Sequence, residues 1–271
     1  MESKVIEQRK GCCLSISKYQ NEFDLEFHLR AAYYECWNRL ISAIEHLDIN
    51  DLEQLSNPFL IKALPAYRKA KRKVLFVGQE TNGWDSFKLT LDMFNHQDEE
   101  VRRENVVDFL QWMYEDLRHH RKYDHTPFWK GMRRLYQAIS PGGGDDGFLH
   151  TELVRFDYAN MRPPHNIESL LQREYNVLPW EIFTLAPEVV IFFTGPEYDE
   201  RLRETFHRVG GSGNSLSFEP INDFKPNTLS RVVHPQLPFH TYRTYHPNYS
   251  LHYNEQSIFN PIESALHKLI N

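Results

Sequence analysis

Two stretches, Val74-Leu75-Phe76-Val77 and Val189-Val190-Ile191-Phe192-Phe193, are apolar at every position. A strand with one wet face alternates apolar and polar residues. A strand without alternation is buried on both faces, as in parallel sheets covered by helices. In open parallel sheets, ligands bind in the crevice outside the carboxyl ends of the strands. The first run passes directly into Gly78-Gln79-Glu80-Thr81, which sets a carboxylate at that edge. A later strand-like run, His240 to Thr244, passes into Tyr245-His246-Pro247-Asn248-Tyr249-Ser250 and brings an imidazole toward the same crevice.

The rest of the chain supports an α/β reading. Further strands are expected over Glu152 to Ala159 and Glu188 to Thr194, with short ones at Leu216-Ser217-Phe218 and Leu229 to Val233. Apolar spacing predicts helices over Glu22 to Leu47, Pro58 to Ala70, Thr126 to Ser140, Ile167 to Tyr175, Trp180 to Leu185, Glu197 to Arg208 and Gln256 to Ile270. Strands alternating with helices imply a parallel sheet with helices on both faces. Residues 1–70 read as an N-terminal helical layer, and the charged stretch 85–125 as a helical insertion or lid. A single domain over 1–271 is expected, since 41% hydrophobic content suffices for one substantial core.

The formal net charge is −6, so any polyanion partner must be met by local clusters: Arg68 to Lys73, Arg118 to Lys122, and Lys130 to Arg134. Taken one at a time, these are equally well explained as solvated helix ends. Cys12, Cys13 and Cys36 lack the spacing of a zinc or iron–sulfur site, which argues for a reducing compartment and a cytoplasmic protein. No apolar run approaches a membrane span. His234, His240, His246 and His252 recur every six residues, too far apart along one extended strand to surround one ion, so no metal is expected.

Taken in order, the motifs resemble those of the uracil-DNA glycosylase superfamily. Gly78-Gln79-Glu80-Thr81-Asn82-Gly83-Trp84 is similar to the Gly-Gln-Asp-Pro-Tyr-His motif of its best-known branch. His125-Thr126-Pro127-Phe128-Trp129-Lys130 resembles the Asn-His-Phe-Trp-Lys segment of the mismatch-specific branch. Ala159-Asn160-Met161-Arg162-Pro163-Pro164 resembles a stretch of the iron–sulfur branch that ends in Arg-Pro-Pro. Tyr245 to Ser250 is similar to the His-Pro-Ser-Pro-Leu-Ser motif. The resemblance covers residues 73–251 and implies a three-layer α/β/α sandwich with a central four-stranded, mainly parallel sheet. It also implies a monomer that flips a nucleotide out of single- or double-stranded DNA and hydrolyses its N-glycosidic bond, releasing uracil or another altered pyrimidine.

The same resemblance assigns roles. Glu80 orients water and stabilises the cationic sugar, and His246 with the Gln79 backbone N–H stabilises the leaving base. Asn160 reads the base edge, and Phe128 or Trp84 stacks on it. Tyr249 or Leu251 wedges into the vacated stack, while Arg121, Lys122, Lys130, Arg162, Asn248 and Ser250 contact DNA. The chain departs from the pattern at several points. Glu80 is one methylene longer than the family's Asp, no Pro follows it, and the cluster-binding cysteines are missing, so no cofactor is expected. A non-catalytic nucleic-acid-binding module of the same fold, or a hydrolase of free nucleosides, is the alternative.

Overall fold

The two apolar runs lie side by side as parallel strands in the middle of one sheet. The computed structural model describes residues 22–144, 147–207, 215–221, 224–251 and 255–270. In chain order, its elements begin with α1 (Glu22–Ile44), α2 (Ile49–Gln54), α3 (Pro65–Lys69) and β1 (Val74–Glu80). Next come α4 (Phe87–Met93), α5 (Glu99–His120), α6 (Pro127–Ile139) and β2 (Phe148–Val154). They continue with α7 (His165–Glu174), α8 (Leu178–Leu185), β3 (Val189–Phe192) and α9 (Asp199–His207). The last are β4 (Ser217–Pro220), β5 (Leu229–Val233), β6 (His240–Thr244) and α10 (Glu255–Ile270).

The sheet has six strands in the order β2-β1-β3-β6-β5-β4, against the four expected. The first four are parallel. The two short runs foreseen near Leu216 and Leu229 join the same sheet as an antiparallel extension beyond β6. Alternation along the strands divides the core in two. One face presents Leu75, Val77, Leu149, Val190 and Phe192 to Tyr33 and Trp37 of α1, Leu110 and Tyr114 of α5, Ile182 of α8 and Leu202 of α9. The other presents Val74, Phe76, Phe148, Ile191 and Tyr242 to Met132 and Leu135 of α6 and to Phe259 and Ile262 of α10.

Three segments differ from expectation. β2 starts at Phe148 and ends at Val154, where Glu152 to Ala159 had been predicted. The chain leaves the sheet there because Asp157, Ala159 and Asn160 build a tight turn. Ala159 (φ 51) and Asn160 (φ 62) are left-handed, and the turn closes through Tyr158 N–H to Met161 O at 2.8 Å. The predicted helix over Pro58 to Ala70 is confined to Pro65–Lys69. Phe59, Leu60, Ile61 and Ala63 are all buried, and the Phe59 N–H donates to Arg155 O at 2.9 Å. Such unbroken burial suits an extended segment threaded between layers, and Pro65 starts the helix where its missing N–H costs nothing.

The third difference concerns the presumed lid, which is part of the core. Val106, Val107, Leu110 and Tyr114 of α5 are completely buried.

A buried ion pair ties these layers together. Arg155 meets Glu181 at 2.5 Å (Nη2–Oε2) and 3.0 Å (Nη1–Oε1). Tyr33 Oη (2.7 Å) and Thr151 Oγ1 (3.0 Å) also donate to the Glu181 carboxylate.

Among the described residues, no helix is long and apolar enough to cross a membrane, and no group of three or more His, Cys, Asp or Glu side chains is placed to hold a metal ion. Cys36 is buried, and burial pushes its thiol up to about 11. Cys12 and Cys13 lie outside the described residues, as does part of the N-terminal layer.

Candidate active site

All four parallel strands run the same way, so the chain segments following β1, β2, β3 and β6 leave from one edge of the sheet. The register aligns Val77, Phe192 and Arg243 in one row across β1, β3 and β6. Beyond these paired residues β1 runs on to Glu80, while the chain past β3 and β6 passes Gly195 and His246, and the Gly195 N–H donates to Thr244 O at 3.0 Å. With β3 between them, strands β1 and β6 lie about 10 Å apart in the sheet. By alternation, Glu80 shares the α6 face with Phe76, and Phe193 shares it with Ile191. Gly195, between them, has φ +72, and a side chain there would meet the Glu197 carboxylate at 2.6 Å.

Glu80, partly buried at the end of β1, accepts a short hydrogen bond from Tyr198 Oη. Burial raises its carboxyl above the usual carboxylate range, opposed by the Tyr198 hydrogen bond and the charge of Arg162. Arg162 lies 4.5 Å above the Tyr198 ring and grips Glu168 with two bonds of 2.6 and 2.9 Å. Tyr198 is thus clamped between the acid and an immobilised guanidinium. Tyr198→Phe removes the bond that favours ionised Glu80. The acid limb of any Glu80-dependent rate should therefore move to higher pH. A pH–rate profile checks this, and an unmoved limb would count against the coupling.

His246 is held by its own loop. Its Nδ1 accepts from the Asn248 N–H at 3.2 Å, so Nε2 is the N–H donor of the neutral ring. Burial lowers its pKa to about 4. The ring lies parallel to Phe128, with centroids 4.9 Å apart and planes 5° apart. Phe128 stands in the first turn of α6, which Thr126 caps by accepting from the Trp129 N–H at 3.4 Å and Pro127 starts. Below this stack are Phe193 and His150, each 6.1 Å from Phe128.

His150 is buried, and desolvation holds it well below the ordinary imidazole value. Both rings are neutral in the folded protein, whereas in the unfolded chain they bind protons below about pH 6.5. Stability should therefore fall as pH drops below about 6.5, the His246 part levelling off near pH 4. Urea midpoints between pH 7.5 and 4 measure this, and His246→Asn should flatten part of the slope.

The other expected site residues are spread more widely. Gln79 turns its side-chain amide to Thr194 O at 2.9 Å. The Trp84 ring packs 4.9 Å from Phe59, with its indole N–H buried and unpartnered. Asn160 is in the exposed turn after β2, beside Gly83; its backbone N–H donates to Asp157 Oδ1 at 3.0 Å. The turn is thus near the Thr81–Trp84 loop, and among the described residues no contact brings Asn160 to His246 or Phe128.

Arg121 and Lys122 lie in the α5–α6 connection and Lys130 on exposed α6, so they border the end that carries Phe128. Tyr249 Oη donates to Glu197 Oε1 at 2.8 Å. The side chains of Ser250 and Leu251 are outside the described ones. The Arg68 to Lys73 cluster enters β1 from the opposite edge and cannot share a surface with Glu80 at the strand's far end.

Three residues were not singled out from sequence: Tyr198, Glu197 and Glu152. Glu152 is buried inside β2, paired in register with Gly78, and its carboxylate fills the space a side chain on Gly78 would need. The strand expected over Glu152 to Ala159 only began at this residue, which hid its place inside β2. A partly open pocket elsewhere, lined by Arg155, Glu168, Tyr175 and Arg201, holds about 10 Å³, enough for one water and far too little for a nucleobase.

No protein-family model matches this chain, and no curated protein matches it significantly in sequence.

Proposed function

We propose that this protein is a DNA glycosylase built on the three-layer α/β/α plan of the uracil-DNA glycosylase superfamily. It hydrolyses the N-glycosidic bond of an altered base flipped out of DNA. The observation that carries this reading is that Glu80 and His246 follow strands β1 and β6 at the same carboxyl edge of the sheet, with β3 between them and Phe128 stacked on the imidazole. Breaking an N-glycosidic bond develops positive charge on the sugar and negative charge on the base. Strands about 10 Å apart leave room for a nucleotide between the anion and the neutral N–H donor that follow them.

Arg121, Lys122, Lys130 and Arg162 supply cations around that edge. Asn160 and Met161, in a turn fixed by Asp157, are exposed beside them.

The test is release of base from single strands and duplexes carrying uracil, hypoxanthine or modified cytosines, read as abasic-site cleavage on a gel. Cleavage supports the proposal. Tight DNA binding with no release favours a binding module. Turnover of free nucleosides alone favours a small-glycoside hydrolase, the reading that the net charge of −6 and the exposed Glu197 suit better.

A further inference from the structure

Glu152 has a position that packing alone does not explain. It is 8% exposed and has no hydrogen-bond partner among the described residues. It lies on the same sheet face as His150 two residues before it, which puts its carboxyl on the side of the Phe128–His246 stack. Gly78, its register partner on β1, has no side chain, and the Glu152 carboxyl occupies the space that one would fill. Glu80 stands one pleat further along β1 on the same face, about 8 Å away between backbones by sheet geometry. Two carboxyls on one face of the sheet, one buried and one tied to a tyrosine, are the parts of a paired acid–base mechanism.

We propose that Glu152 is a second catalytic carboxyl, the general acid that gives a proton to the departing base, and that the enzyme's substrates are bases too basic to leave as anions. This rests on the glycosylase reading above. The C1′–N bond breaks with its electron pair going to the base, and the Glu152 O–H proton goes to that base. Water bonds to C1′ and gives its proton to the Glu80 carboxylate. Water is thus added across the bond, and the two carboxyls exchange charge until a proton returns through solvent.

The groups facing Glu152 favour the protonated start. Burial and the like charge of Glu80 raise its carboxyl well above the usual range, and Arg155 opposes them. His150 on the same strand is neutral, and Phe128 and Trp129 of α6 carry no charge. The class meant is the cytosine-type bases, whose anions are far more basic than that of uracil and whose departure needs a proton. Uracil and 5-fluorouracil leave readily as anions and need none.

Glu152→Gln keeps the shape and removes the proton. It should slow release of a modified cytosine from DNA roughly 100-fold, while changing 5-fluorouracil release by less than about threefold. In the intact wild-type protein, the ¹³C carboxyl signal missing from the Glu152→Gln spectrum should be that of a protonated acid at pH 7. An equal loss on every base, or an ionised Glu152 at pH 7, overturns the inference while leaving the glycosylase reading in place. A wild-type protein that releases no base from any substrate ends both.

Discussion

Glu80→Gln should slow base release by roughly 10³-fold, about 4 kcal/mol of barrier, with DNA binding retained. Glutamine keeps the size of the side chain and an oxygen for Tyr198 Oη, so the geometry at the end of β1 is preserved. It cannot carry the negative charge that faces the developing sugar cation, nor accept a proton from the attacking water. The variant should also fold at least as well as the wild type at alkaline pH. Burial raises the Glu80 pKa in the folded state, so its ionisation opposes folding as pH rises from the unfolded value near 4.3 through the folded one. Single-turnover rates and urea midpoints together separate chemistry from stability. A variant that folds normally and cleaves within about threefold of wild type would remove Glu80 from the mechanism.

Glu181→Ala should be the most damaging change outside the site, costing about 3–5 kcal/mol. It strands the Arg155 guanidinium, 4% exposed, without its counter-charge and takes the acceptor away from Tyr33 Oη and Thr151 Oγ1. The cost is that of an uncompensated buried cation, so replacing both partners with apolar residues, Arg155→Met with Glu181→Leu, should recover most of it. Urea unfolding of the two variants measures this. A single variant within about 1 kcal/mol of wild type would show that the pair is dispensable.

The apolar runs at β1 and β3 were legible because burial on both faces leaves no polar positions to confuse the period. The residues at their carboxyl ends followed from that placement. β2 was misplaced by four residues because Phe148 to Val154 contains His150, Thr151 and Glu152, polar residues that read as an exit from the sheet but are buried in it. That shift concealed Glu152 and drew attention to Asn160, which sits in the turn beyond. The region 85–125 read as a lid because its charged residues dominate the composition. Its buried stripe of Val106, Val107, Leu110 and Tyr114 shows only when α5 is packed against the sheet.

By itself, the sequence determined the class of fold, a helix-covered parallel sheet, and the edge from which Glu80 and His246 project. Both depend on local pattern: the absence of alternation in a strand and the residue that follows its last buried position. Tertiary structure alone decided that the strands leading to Glu80 and His246 flank β3, that Tyr198 and Arg162 clamp the acid, and that Glu152 faces Gly78. Each of these depends on register between strands far apart in the chain, and a one-residue slip would turn every side chain to the opposite face.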